Sequence, residues 1–308
     1  MSFETLRRRA LNGPAMGARW SAVFHAPENF DDGALALALQ EALEAVELQM
    51  SAWRPESDIE RFNRAPPGVW RALPQNLLTV LEAAMEIGAL SGGAFDIGVG
   101  DLVNAWGLGA GSRTPDSTMP VGYTAPTLQI DMRGLRARKF SRQRLDLSGI
   151  AKGFGVDELA RVMRAFGLSS WLVGIDGEMR ACGHKADGRP WAVGHERPGR
   201  DARELMGVIA LQDCAVATSG NYRHVVEVEG HTLSHTIDPR RGAPLVNDLA
   251  CVSVLAPSAM VADAWATALM VLGAEQGVRL ARRLGLEAIL VANAGDLVMS
   301  RDDARAGA

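Results

Sequence analysis

Cysteine is scarce in this 308-residue chain. Only Cys182, Cys214 and Cys251 occur, widely spaced and odd in number. No CxxC pair exists, which excludes a zinc knuckle and a disulfide framework. The three read as small buried hydrophobes in a reducing compartment. No apolar run is long enough to span a bilayer. A basic surplus is missing too: the formal net charge is -4, so the chain lacks the positive footprint of a nucleic-acid binder. An anionic ligand would need local help from backbone N–H groups, a lysine or a metal. Short repeats and low-complexity tracts are absent. The N-terminus follows Arg7, Arg8 and Arg9 with Ala-Leu-Asn-Gly-Pro, not with an apolar signal core, and has no early cysteine for a lipid anchor. As written, the sequence places the chain in the cytoplasm. A periplasmic chain trimmed of its export signal would read the same.

What is present suits a folded protein. Apolar residues make up 47%, and the length suffices for one large domain or two fused lobes. Strand-like alternation appears around Arg19–Phe24. Asp32–Met50 predicts a helix capped by Asp31 or Asp32, with Leu35, Leu39, Leu43, Val46 and Met50 at helical spacing. The polar stretch Ser51–Pro67 is rich in turn formers. Pro74–Ser91 predicts a second helix, ended by Gly92-Gly93. Arg113–Tyr123 reads as an exposed loop. Lys152–Phe166 takes helical period. The second half alternates instead. Ser170–Ile175 and Glu178–Cys182 flank an Asp176-Gly177 turn. Val225–Val228 and Thr232–Ile237 flank Glu229-Gly230. Ala250–Leu255 predicts a strand and Ser258–Gly273 a helix, and Ala288–Val291 and Leu297–Ser300 flank a turn at Asn293–Asp296. Hairpins with segregated helices predict an α+β fold with a largely antiparallel sheet.

Five constellations carry possible chemistry. On the helix from Ser258, Asp263 and Thr267 lie one turn apart, off the stripe formed by Val261, Ala264, Trp265, Ala268, Leu269 and Leu272. They can offer two oxygens to a hard cation such as Mg2+, though an ordinary surface Asp and Thr would look the same. In Asp146-Leu-Ser-Gly-Ile-Ala-Lys-Gly, glycines permit close backbone approach, Lys152 adds a cation, and the following helix start adds unpaired N–H groups. That suits a phosphate-bearing ligand, and equally a strand-to-helix turn with a solvated lysine. The run from Gly93 to Gly109, GAFDIGVGDLVNAWGLG, lacks the strand–turn–helix context of a dinucleotide fold. Small residues around Asp96 and Trp106 instead suit a slot for a planar ring. In His235-Thr-Ile-Asp-Pro-Arg-Arg-Gly, His235 with Asp238 three residues on can act as a general base, though a lone histidine is more often structural than catalytic. Ala217-Thr-Ser-Gly-Asn-Tyr-Arg suits a loop touching phosphate or adenine, or a capped turn, and gives Ser219 no triad context.

The order of these blocks decides among the readings. The succession MGARW, MSAWRPESDIERFN, GAFDIGVGDLVNAWGLG, LDLSGIAKGFGVDELA, WLVGIDGEMRACG, ATSGNYR, HTIDPRRGAPL and ADAWATALMVLG closely resembles the ApbE-type family of FAD:protein FMN transferases, from about Met16 to about Gly273. The resemblance implies an α+β fold, one flavin transferase domain over 1–308 with two related lobes around a flavin cleft. It implies FAD contacts at Met16, Trp53, Ala94, Phe95, Asp96, Asp146, Lys152, Ile237 and Ser219. Gly149 (through its carbonyl), Asp263 and Thr267 are the implied magnesium ligands, and His235 is the implied residue beside the transferred phosphate. Three departures stand out. MGA replaces the frequent MGT, Ala266 stands where some members carry a second metal-binding Asp, and the lipoprotein signal of many members is absent.

The implied reaction is attack by a threonine or serine hydroxyl of an acceptor flavoprotein on the FMN-side phosphorus of FAD, with AMP leaving. Magnesium neutralises the pyrophosphate, and His235, or Asp238 beside it, takes the proton. An FAD pyrophosphatase would use the same site with water as nucleophile. A flavin carrier would need no metal.

Overall fold

The structure is a computed structural model describing residues 6–110, 127–198, 204–221, 225–228, 231–293 and 295–300, without the side chains of 225–228 and 231–233. The loop expected at Arg113–Tyr123 and the turn expected at Glu229-Gly230 lie outside the described residues.

The chain begins with a hairpin. Strands β1 (Arg7–Ala15) and β2 (Ala18–Ala26) pair antiparallel around Met16 and Gly17. Both turn residues have positive φ, 52° and 72°, as a two-residue turn between twisted strands requires. Helix α1 (Asp32–Met50) is capped by Asp31, whose carboxylate accepts the Ala34 N–H, and it buries the five expected residues. The polar stretch Ser51–Pro67, rich in turn formers, holds a helix, α2 (Asp58–Arg64). Ser57 caps it by accepting the Glu60 N–H, and Ile59 and Phe62 are buried. Next come β3 (Arg71–Ala72), α3 (Gln75–Leu90) and the short α4 (Gly100–Ala105). Strands β4 (Leu128–Asp131) and β5 (Arg136–Lys139) join β3 in a three-stranded sheet.

Helix α5 (Ala151–Ala165) leads to the hairpin of β6 (Trp171–Ile175) and β7 (Glu178–Cys182). A second hairpin, β8 (Trp191–Glu196) with β9 (Leu205–Leu211), stands apart from the main sheet. Strand β10 (Ala215–Gly220) follows. Strands β11 (Val225–Val228) and β12 (His231–Ser234) pair, as do β13 (Ile237–Asp238) and β14 (Ala243–Pro244). The single strand expected over Thr232–Ile237 is therefore interrupted at His235 and Thr236. The chain closes with β15 (Leu249–Ala256), α6 (Ala259–Leu284), β16 (Glu287–Ala292) and β17 (Leu297–Met299). Helix α6 passes the expected end at Gly273, which breaks the helical backbone (φ 78°, ψ 175°). The Asn247 amide donates to the Met270 carbonyl just before that break, at 2.6 Å.

The main sheet has eight strands in the order β1-β2-β6-β7-β10-β15-β16-β17, every neighbouring pair antiparallel. The α+β expectation holds. Helices cover one face: Leu35, Leu39 and Leu43 of α1 pack with Val156 and Leu159 of α5, and Leu269 of α6 packs with Val252 and Val254. The β8–β9 hairpin covers part of the other face, with Trp191, Ile209 and Leu211 against Ala181 and Val216. Near the middle the sheet parts. Strands β7 and β10 pair only at Arg180 with Ala215 and Met179 with Val216. Glu178 and Gly177 on one side, and Thr218 to Gly220 on the other, border a gap. Among the described residues, no helix is long and apolar enough to cross a membrane.

Candidate active site

A cavity of about 1360 Å3 opens at this gap. The β1–β2 turn, the β6–β7 turn, the end of β10 and the starts of α5 and α6 converge there. Side chains alternate across a strand, so the lining residues can be sorted by face. Glu178, Ser219, Asp263 and Thr267 lie on the helix side. Met179, Val216, Thr218 and the hairpin residues Val193, His195 and Ile209 lie on the other. The cavity therefore has two compartments that meet at the parted strands.

The meeting point is polar. Asp263 is 4% exposed, and its Oδ2 accepts the Gly153 N–H at 3.0 Å. Helices α5 and α6 can approach this closely only because residue 153 is glycine. A Cβ there would sit 2.3 Å from the Ala259 carbonyl oxygen and 2.8 Å from the Asp263 Cβ. Burial pushes the Asp263 carboxyl up to about 7, and the Glu178 charge adds to this against the opposing pull of Lys152 and the Gly153 N–H. The Thr267 hydroxyl lies 3.1 Å from Ser219 Oγ. Gly149 packs on Thr267, so a Cβ there would come within 3.1 Å of Thr267 Oγ1.

Lys152 is not a solvated lysine. Its Nζ donates to Glu178 Oε1 at 2.8 Å and stands 3.9 Å from Asp176. Burial alone would lower its pKa, but Glu178, Asp263 and Asp176 together hold it above the ordinary lysine value. Burial pushes the Glu178 carboxyl up, and its Oε2 is buried with no hydrogen-bond partner among the described residues. Three carboxylates thus surround one ammonium, which leaves an excess of negative charge for a cation to meet. Among the described residues no three His, Cys, Asp or Glu side chains converge as a metal cage. One carboxylate with hydroxyl and carbonyl oxygens nearby suits Mg2+, which keeps waters and shares its shell with substrate phosphates.

Of the residues singled out in the sequence, Met16, Ala94, Phe95, Asp96, Asp146, Gly149, Lys152, Ser219, His235, Ile237, Asp263 and Thr267 all line this cavity. The Met16 turn is fixed by Glu47, which accepts the Met16 N–H. Asp96 and Asp146 each brace their own loops, accepting the Gly98 and Ser148 N–H groups. His235 is exposed at the cavity wall. Two residues lie elsewhere. Trp53 is 61% exposed and lines a small neighbouring recess that shares Asp146 and Ser148 with the cavity. Asp238 is buried beside the cavity and bound to Arg240 through both oxygens at 3.1 Å. Arg240 in turn donates to the Val271 carbonyl, which clasps the His235 loop to α6. Trp106 acts structurally too: its indole donates to the Gly242 carbonyl. Sequence reasoning passed over Glu178 and His195. A charged residue opening an apolar strand, directly after the Asp176-Gly177 turn, was the available signal for Glu178.

The sequence model of the ApbE family matches residues 16–290. The chain belongs to the ApbE family. A FAD:protein FMN transferase of Vibrio cholerae is 35% identical over 294 residues, covering 93% of this chain and 88% of that protein. One from Escherichia coli K12 is 31% identical over 296 residues, covering 93% and 84%. Among solved structures, the flavin transferase ApbE of V. cholerae superposes with a TM-score of 0.83 at 33% identity, over 96% of this chain and 97% of that one. The apo flavinyl transferase ApbE of Pseudomonas stutzeri gives 0.84 at 34%, over 97% and 96%. The ApbE fold of this chain is an antiparallel sheet backed by helices.

Proposed function

We propose that this ApbE-family chain is a FAD:protein FMN transferase that moves FMN from FAD to a serine or threonine hydroxyl of an acceptor flavoprotein and releases AMP. The observation that carries this reading is the polar centre of Asp263, Thr267, Ser219 and Lys152 between two compartments. FAD has the matching plan: an anionic pyrophosphate between two ring systems. We read the whole chain as one flavin transferase unit, with two lobes meeting at the cavity.

In this reading Met16, Ala94, Phe95, Asp96, Asp146 and Ile237 contact FAD, with Trp53 at the rim. The Lys152 ammonium, held by Glu178, faces the pyrophosphate. Asp263, the Thr267 hydroxyl and the Gly149 carbonyl would hold a magnesium ion, which supplies charge neutralisation at the pyrophosphate when bound. The acceptor oxygen forms a bond to the FMN phosphorus as the phosphoanhydride bond breaks, and the electron pair leaves with AMP. The hydroxyl proton passes to His235. Asp238, committed to Arg240, holds the turn on which His235 stands.

The test is incubation with FAD, Mg2+ and an acceptor carrying a reachable serine or threonine, followed by mass spectrometry of protein and nucleotides. AMP and covalent FMN should appear in equal amounts. Release of free FMN and AMP without acceptor would make the chain a pyrophosphatase. FAD bound but unchanged would make it a carrier.

A further inference from the structure

The carboxylate of Asp157 gathers three partners from two other elements. Its Oδ1 accepts the Ala259 N–H at 2.9 Å, and its Oδ2 accepts the Met260 N–H at 3.0 Å. The Arg180 guanidinium donates to the same Oδ1. Ala259 and Met260 open α6, so a carboxylate from α5 meets two of the N–H groups that a helix start leaves unpaired. Ser258 meets the next, accepting the Val261 N–H. The Asp157 and Arg180 side chains are 15% and 17% exposed, so solvent screens the pair little. Asp157 itself stands outside the cavity wall.

Asp157 and Gly153 form a double tie between the helices. One turn before Asp157, Gly153 donates to the Asp263 carboxylate. One turn before Asp263 stands Ala259. At one level α5 donates to a carboxylate of α6, and at the next α6 donates to a carboxylate of α5. Ala259 is held from both ends. Asp157 takes its N–H, and its carbonyl oxygen stands 2.3 Å from where a Cβ on Gly153 would be. The third partner reaches the other side of the polar centre. Arg180 lies two residues beyond Glu178 on β7, so both side chains leave the same face of the strand. Glu178 in turn holds Lys152. One carboxylate thus fixes the helix that carries Asp263 and Thr267 and the strand that carries the partner of Lys152.

We propose that Asp157 is a positioning residue for the transfer reaction: by seating the first turn of α6 against α5 and β7, it sets the spacing between Lys152 and the oxygens of Asp263 and Thr267. The inference rests on the reading in which Asp263, Thr267 and the Gly149 carbonyl hold magnesium. A plain helix cap would stabilise the fold without favouring the metal. A positioning residue does both.

Mg2+ binding to the FAD-loaded protein is measured by calorimetry for the unaltered protein, Asp157→Asn, Arg180→Gln and Asp31→Ala. The Asp157→Asn side chain keeps its size but accepts through one oxygen only and loses the charge that Arg180 meets. Its Mg2+ dissociation constant should rise about tenfold or more, the scale on which groups supporting metal ligands act. Added Mg2+ should restore much of the transfer rate, so the half-saturating Mg2+ concentration moves more than the maximal rate. FAD affinity without the metal should hardly change, since Asp157 lines no part of the cavity. Asp31→Ala removes the cap of α1; it should lower the denaturation midpoint and leave Mg2+ affinity unchanged. Arg180→Gln removes only the third partner. It should weaken Mg2+ binding by a smaller factor, and it carries the test if Asp157→Asn does not fold. Unchanged Mg2+ affinity in folded Asp157→Asn or, failing that, in Arg180→Gln overturns the inference and leaves Asp157 a helix cap. An equal loss of Mg2+ affinity in Asp31→Ala overturns it too. If the unaltered FAD-loaded protein binds no Mg2+, the magnesium reading itself fails, and the inference with it.

Discussion

The backbone N–H of Gly153 donates to Asp263 Oδ2 at 3.0 Å, tying the first turn of α5 to the start of α6. One bond thereby joins the segment that carries Lys152 to the segment that carries two of the proposed metal ligands, Asp263 and Thr267. It exists because no Cβ stands between the helices.

Gly153→Ala should therefore harm both fold and site. The added carbon would overlap the Ala259 carbonyl group and the Asp263 Cβ, and backbone cannot swing aside as a flexible side chain can. Overpacking of this kind costs about 1–3 kcal/mol. The urea midpoint should fall accordingly, and Mg2+-dependent thermal stabilisation should weaken. Gly207→Ala is the control. Nothing lies within 4 Å of its Cβ position, so its unfolding free energy should stay within about 0.5 kcal/mol of the parent's. Equal midpoints for the two variants would remove the close-approach argument.

Lys152 and Glu178 should behave as a coupled pair. Glu178 is 2% exposed, and Lys152→Met would leave its carboxylate without a counter-charge. Breaking a fully buried pair costs several kcal/mol. Because the Lys152 side chain is 31% exposed, a loss of about 2 kcal/mol is expected. The double variant Lys152→Met with Glu178→Leu should recover part of that loss, since no stranded charge remains. A double-mutant cycle by chemical denaturation reads the coupling. Strictly additive losses would mean that the two charges do not depend on each other.

Much of this was legible in the sequence, for physical reasons that differ from place to place. The α1 stripe and the Asp176-Gly177 hairpin follow from local periodicity and turn chemistry, and both appear as expected. Helix α2 was hidden because its seven residues are too few to establish a period, although Ser57 and Glu60 already spelled a capping signal. The β8–β9 hairpin escaped because the stretch between Glu196 and Leu205 is too long for a two-residue hairpin signature, so Pro198-Gly199 alone did not mark one. With it went His195, whose partner Ser253 is 58 residues away. The burial of Asp263 was invisible for a related reason. A single helix shows which residues share a face, but not that α5 will cover the polar one.

Acid should destabilise the protein through its buried histidines. Burial lowers the pKa of His195, and burial with the nearby Arg8 charge lowers that of His25. A base with a depressed folded pKa takes its proton later than the unfolded chain does. Its contribution to stability is thus complete above the unfolded value, about 6.5, and is lost as pH falls below it. Each pH unit over which only the unfolded chain is protonated costs about 1.4 kcal/mol per histidine. Midpoints at pH 7.5 and 5 should therefore differ more in the parent than in His195→Gln. An identical pH response in the two proteins would show that His195 carries no such linkage.

His235→Ala should separate catalysis from binding. His235 is exposed at the cavity wall, on a loop held by Asp238, Arg240 and the Val271 carbonyl. Those anchors remain when the ring is removed, and circular dichroism and the denaturation midpoint check that the variant stays folded. A proton acceptor matters mainly as the acceptor hydroxyl attacks, and little while FAD merely sits in the cavity. Acceptor-dependent AMP release should fall about a hundredfold, within the range general-base catalysis supplies, while the FAD dissociation constant stays within about twofold. Added imidazole should restore part of the rate by standing in for the lost ring. Asp263→Asn gives the opposite pattern: the amide still accepts the Gly153 N–H, but the charge is gone, so transfer should fail with no response to imidazole and Mg2+-dependent stabilisation should disappear. If His235→Ala weakened FAD binding in step with the rate, and imidazole restored nothing, the histidine would be a ligand contact and the base would have to be sought among the other residues that face the pyrophosphate.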